Sequence, residues 1–250
     1  MRKYICPPLV EAICDFHFLP SQPWDSTVLG LVYDRIKEQF PDKIPLPAIM
    51  LNITFGAAPG GMPPGGERMR FRKADGSALV QVGPNNLTVN HLTPYTGWPQ
   101  FQAMIDHLLK VYREVADPQG LQRVVLRYVN RMDIPATALN PEGYVAIEDY
   151  LLAQPSVPQA VPQVFTNWAQ RVEIPFKTAS TVLALQSGTV IGSEKFPVAF
   201  LLDLEMSPVP DKTVILDKAQ EWLEQAHINI EDVFEQCLGP KARDLFGVLE

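Results

Sequence analysis

At 250 residues, with 46% apolar and 20% charged side chains, the chain is long enough to close a core without staples and too apolar to be disordered. Its net charge of −7 is uneven: residues 1–122 carry 11 basic and 11 acidic side chains, residues 123–250 carry 10 and 17. An acidic chain lacks the positive field that dominates affinity for phosphate backbones, which counts against a nucleic-acid partner.

In Met-Arg-Lys-Tyr-Ile-Cys-Pro-Pro, Pro7 and Pro8 arrive before an apolar stretch can develop, which argues against a secretory leader. No apolar run approaches the ~18–20 residues that cross a bilayer. Cys6, Cys14 and Cys237 are odd in number, far apart and without Cys-x-x-Cys spacing, so they read as reduced thiols. The expected location is the cytoplasm.

Residues 9–18 alternate: Val10, Ala12, Cys14, Phe16 and Phe18 share one face, while Glu11, Asp15 and His17 lie on the other. Period two with one apolar face predicts a half-buried strand. After Pro20 and Pro23, Asp25 or Ser26 can cap a helix with the stripe Val28, Leu29, Val32, Ile36 and Phe40. Strands are expected at 48–55, 68–73, and 79–82 or 87–92, with turns at Asp75-Gly76 and Gly83-Pro84-Asn85-Asn86. Residues 56–66, rich in Gly and Pro, read as a mobile loop. A helix follows Gly97, with Trp98, Phe101, Ile105, Leu108, Leu109, Tyr112 and Val115 on its apolar face.

The second half runs in the same order. Residues 124–134 form a strand with Arg123, Arg127 and Arg131 on its polar face, and a short helix is expected at 143–152. Strands follow at 165–176, 181–185 and 198–206, with Gln186-Ser187-Gly188 as a turn. Asp211 precedes a helix carrying Val214, Trp222 and Leu223, and the tail adds short helices at 229–238 and 241–249. Gly76 and Gly188 stand 112 apart, and Thr93 and Ser207 stand 114 apart.

The fold class expected is therefore α+β. Two β-α-β-β-β-α units, residues 1–122 and residues 123–250 with extra C-terminal helices, join in one domain with a mainly antiparallel, curved sheet and helices on one face. The tandem saddle of TATA-box-binding proteins and the helix-grip fold are the architectural analogues, an analogy that carries no function. If the first strands of the two units lie side by side, a paired-number sum near 142 sets Glu11 opposite Arg131 and Asp15 opposite Arg127 as structural ion pairs.

Pro7 through Phe16, Tyr128-Val129-Asn130-Arg131-Met132-Asp133-Ile134-Pro135, and the ending Phe234 through Leu238 with Leu245-Phe246 carry a resemblance. Together they resemble a sporadically distributed bacterial family of roughly 250-residue proteins with no assigned activity. The resemblance implies a cytosolic accessory protein from a mobile or defence-related gene cluster, and brings no catalytic residues.

Motifs of nucleotide-binding loops, serine hydrolases, zincins and dinucleotide folds are absent from the sequence, so no cofactor and no metal is expected. His17, His91, His107 and His227 are scattered, the last at the end of a helix. Asp203 and Glu205 share a strand face, read as solvated in preference to catalytic. Arg68, Arg70 and Arg72 also share a face, read first as charge protection of an edge strand and second as a site for phosphate or a partner's carboxylates. Arg127 and Arg131 are the alternative anion holders.

Two uses compete. The first is a non-enzymatic interaction protein that engages a partner protein or a second copy of itself. The second is a small-ligand protein or enzyme with a pocket between sheet and helices.

Overall fold

The computed structural model describes residues 3–46, 68–176, 180–210 and 212–249. The strand expected at 48–55, the loop at 56–66 and Asp211 lie outside these residues.

The first half contains β1 (Lys3–Tyr4), β2 (Leu9–Leu19), α1 (Thr27–Ile36), β3 (Asp42–Leu46), β4 (Arg68–Arg72), β5 (Ala78–Gly83), β6 (Asn86–Leu92) and α2 (Trp98–Ala116). The second contains β7 (Gly120–Ile134), β8 (Ala169–Phe176), β9 (Thr181–Ile191), β10 (Val198–Pro208), α3 (Ala219–Cys237), α4 (Pro240–Phe246) and β11 (Val248–Leu249). Among the described residues nine strands form one open antiparallel sheet, ordered β3-β4-β5-β6-β2-β7-β10-β9-β8, and β1 pairs separately with β11.

The alternating segments bury the face that their period predicts, except that Val10 of β2, expected on that face, is exposed at 36% where the register shifts between Leu9 and Glu11. Ala12, Cys14, Phe16 and Phe18 of β2, with Leu126 and Met132 of β7 and Leu202, Leu204 and Met206 of β10, are at most 2% exposed. Burying each of the Phe, Leu and Met side chains contributes about 1.5–3 kcal/mol. The helices cover this face. Tyr112 of α2 stacks on Phe18 with ring centroids 4.6 Å apart, Tyr33 of α1 stacks on Phe71 of β4, and Tyr128 of β7 bonds to His227 of α3. In α1 the buried stripe is Leu29, Val32 and Ile36, and Asp25 Oδ1 accepts the Thr27 N–H.

The second half departs from expectation in three places. Only 3-10 turns occur at Ala136–Ala138 and Ile147–Asp149, because the Asn140-Pro141 segment turns at Gly143, whose φ of +85° breaks a helix. Gln186, Ser187 and Gly188 continue β9 and do not turn; the turn lies beyond it, where Ser193 and Phe196 exchange backbone hydrogen bonds. Gly188 is small for another reason: a Cβ there would stand 2.7 Å from the Trp168 carbonyl oxygen. Residue 229 is interior to α3, so the two helices expected there are one. The two halves therefore differ in their elements, since no α-helix of the second half stands where α1 stands in the first.

β2 and β7 are antiparallel neighbours, as expected, but their central register pairs residues that sum to 140. Glu11 faces Val129, Ile13 faces Arg127, Asp15 faces Val125 and His17 faces Arg123. β4 is not an edge strand, since β3 lies outside it.

Candidate partner-binding face of the sheet

Opposed residues in antiparallel strands share a face, so the register assigns every polar side chain. One row across the face that carries no described helix is Arg70, Gln81, Thr88, Asp15 and Val125; the next is Arg72, Leu79, Asn90, Ile13, Arg127 and Glu205. This face is polar yet not fully solvated. Asn86, Asn90, Gln186 and Asp203 are each at most 4% exposed.

Burial of that kind requires partners, and most are present. Asp15 is the hub of the first half. Its Oδ2 lies 2.7 Å from His17 Nε2, and its Oδ1 accepts from Asn86 Nδ2 at 2.8 Å and Thr88 Oγ1 at 2.6 Å. Burial alone pushes the Asp15 carboxyl up, but these bonds and the His17 charge outweigh it and hold the carboxyl below its ordinary range. Beside it, Gln81 donates to Asn90, whose Nδ2 donates to Glu11 Oε1 at 2.8 Å.

Asp203 is the hub of the second half. Arg127 grips it with Nε on Oδ1 at 2.8 Å and Nη2 on Oδ2 at 2.5 Å, and Gln186 Nε2 adds a third bond. Arg123 reaches Glu205 at 3.1 Å. The solvated reading of Asp203 is therefore overturned, as are the ion pairs expected from a sum of 142. Arg127 binds Asp203, Arg131 binds Asp133 and the Ile191 carbonyl, Glu11 is held by Asn90, and Asp15 by His17, Asn86 and Thr88.

Arg68, Arg70 and Arg72 do share this face, but their states differ. Arg72 donates twice to Asp42 of β3. Arg68 and Arg70 have no carboxylate within ion-pair distance among the described residues, and Arg70 Nε is buried without a hydrogen-bond partner. Arg68 lies across Gly83, where a Cβ would stand 2.7 Å from its Cγ, and burial lowers its pKa. Guanidiniums without a carboxylate partner among the described residues have the donor geometry that suits a carboxylate or phosphate.

A second constellation lies under α3, and the sequence pattern missed it because His227 falls mid-helix and not at an end. His227 Nδ1 bonds the Tyr128 hydroxyl at 2.8 Å, its ring stacks on Trp98 at 4.3 Å, and its Nε2 lies 3.2 Å from Glu231 Oε2. Trp98 Nε1 donates to Glu224 at 2.7 Å. Burial lowers His227 to about 4 and raises Glu231 to about 7, so both are neutral between those values. The i, i+4 spacing of His227 and Glu231 was the available signal, though nothing in it foretold Trp98 or Tyr128.

A cleft of about 230 Å³ opens between the segment around Trp24 and the end of α2, lined by Phe18, Trp24, Val28, Asn85, Tyr112 and Val115 among others. That is smaller than the roughly 300–1,000 Å³ of drug-sized ligand sites. Among the described residues no group of three or more His, Cys, Asp or Glu side chains could hold a metal ion, and no helix is long and apolar enough to cross a membrane. No protein-family model and no curated protein matches the chain.

Proposed function

We propose that the chain is an interaction protein that holds an acidic partner protein on the polar face of its sheet. One observation carries the reading. On a face where Arg72, Arg123, Arg127 and Arg131 each find an acceptor, Arg68 and Arg70 keep theirs open among the described residues. Both side chains are only half-buried, so a carboxylate from a partner can approach them and supply the counter-charge they lack among the described residues. The resemblance of residues 7–16 and 128–135 supports a bacterial accessory role in a mobile or defence-related gene cluster.

The test is capture followed by native mass spectrometry. A partner held by the native chain is lost with Arg68→Glu/Arg70→Glu and kept with Lys110→Glu, an exposed change on α2. A partner indifferent to the double variant would sink the reading.

A second reading rests on the His227–Glu231 pair, whose values burial drives apart as in acid–base sites. It requires a small ligand under α3. A thermal-shift screen would find a compound that stabilises the native chain and not His227→Gln.

A further inference from the structure

Among the described residues two strands end the sheet, and they are defended unequally. β3 carries Lys43 and Pro45 over five residues. β8 reads Ala-Gln-Arg-Val-Glu-Ile-Pro-Phe, and five of its eight residues are exposed, including Val172 at 44% and Ile174 at 41%. Its inner side pairs with β9 in a register summing to 357. Thr189 N–H donates to the Trp168 carbonyl, so even-numbered residues of β8 face β9 with their backbone groups. The odd ones, Ala169, Arg171, Glu173 and Pro175, turn theirs outward. Among the described residues no backbone hydrogen bond reaches them.

We propose that β8 pairs with β8 of a second copy, antiparallel about a two-fold axis through Val172. In that register residue numbers sum to 344. Arg171 then stands opposite Glu173 of the other copy, and Glu173 opposite its Arg171. These are the outward-facing residues, so each pair exchanges two N–H···O bonds while its side chains meet as opposite charges. Val172 meets Val172 across the axis at a narrow pair, where Cα atoms approach to about 4.5 Å. The exposed apolar side chain thereby gains a partner. Pro175 falls opposite Ala169, at the end of the ladder, where its missing N–H loses only one bond per side.

Charge selects this register among its neighbours. A sum of 342 sets Arg171 against Arg171, and a sum of 346 sets Glu173 against Glu173, both repulsive. In the single chain Arg171 Nη2 turns back to Glu173 Oε1 at 2.9 Å, a same-strand pair with Glu173 mostly exposed. The dimer exchanges that contact for its intermolecular equivalent. The proposal is independent of the polar-face reading, since Arg68 and Arg70 lie toward the opposite end of the sheet.

Sedimentation equilibrium from 1 to 200 µM tests it, with the 27.9 kDa chain as monomer reference. The native chain is expected to dimerise. Arg171→Glu, which puts like charges opposite at both pairs, weakens the dimer at least tenfold, and Arg171→Glu/Glu173→Arg restores it. In a Cys6→Ser background, Val172→Cys cross-links to itself on mild oxidation, while Ile174→Cys, which faces Gln170 in this register, does so far more slowly. Circular dichroism confirms that these exposed variants fold. A chain that stays monomeric at 200 µM and resists cross-linking overturns the proposal. A dimer unchanged by Arg171→Glu overturns it equally.

Discussion

Arg127 of β7 holds Asp203 of β10 with both prongs of its guanidinium, at 2.8 and 2.5 Å, and the carboxylate is 2% exposed. The grip is diagonal, because Asp203 stands opposite Val129 and Arg127 opposite Glu205. Removing one partner leaves a buried charge without its counterion. Arg127→Ala is expected to cost about 3–5 kcal/mol. Arg127→Lys, which cannot span both oxygens, is expected to cost about 1–3 kcal/mol. The double variant Arg127→Met/Asp203→Leu loses less than Arg127→Ala alone. Urea unfolding with a double-mutant cycle measures all three.

The His227–Glu231 pair predicts opposite pH slopes in its single variants. Burial sets Glu231 at about 7, above its unfolded value, so its contribution is full below about pH 4.5 and falls away as pH rises to 7. Burial sets His227 at about 4, below its unfolded value, so its contribution grows as pH rises from about 4 to 6.5. The two slopes cancel between about pH 4.5 and 6.5. Glu231→Gln leaves a stability that rises with pH there, and His227→Gln one that falls, each by up to about 1.4 kcal/mol per pH unit. Parallel pH profiles for the two variants would exclude this coupling.

Two glycines of helices respond oppositely to alanine. Gly30 lies exposed within α1 with nothing within 4 Å of a built Cβ, so Gly30→Ala is expected to stabilise by about 0.5–1 kcal/mol. Gly239 precedes α4, where a Cβ would overlap the backbone carbonyls of Glu148 and Asp149. Gly239→Ala is expected to cost about 1–3 kcal/mol, as overpacking against unyielding backbone does. Shifts of the urea midpoint in opposite directions check the pair.

All three cysteines are free, Cys6 exposed and the others buried. Burial pushes the Cys14 thiol well up and Cys237 to about 11, so neither forms thiolate readily. Iodoacetamide at pH 8 is expected to modify Cys6 alone in the native protein and all three after unfolding, as intact mass reads directly.

Strand identity was legible in the sequence because alternation is strict in β2, β7 and β10, and α2 because its apolar stripe runs for four turns. The seam between β2 and β7, and its antiparallel sense, also followed. Its offset did not. Sums of 140 and 142 place the same side chains on the same faces, so period two fixes parity without choosing between them. Charge favoured 142 by a fraction of a kcal/mol per pair. That was too little to outweigh apolar packing, which sets Cys14 against Leu126 and Phe16 against Val124. The open donors of Arg68 and Arg70 were likewise invisible, since the sequence showed three equivalent arginines and only the placement of Asp42 separates Arg72 from the others.

The central position of β2 also has a consequence during synthesis. Its edge toward β6 is covered once Leu92 has been made, but the other edge waits for β7, whose first residue is Gly120. About a hundred residues separate the end of β2 from that partner, which at 5–20 residues per second is roughly 5–20 s on the ribosome. Throughout that interval an unpaired edge is exposed to other nascent chains. Glu11, Asp15 and His17 stand along it on the solvent side, and their charge makes the waiting strand a poor template for its own copies.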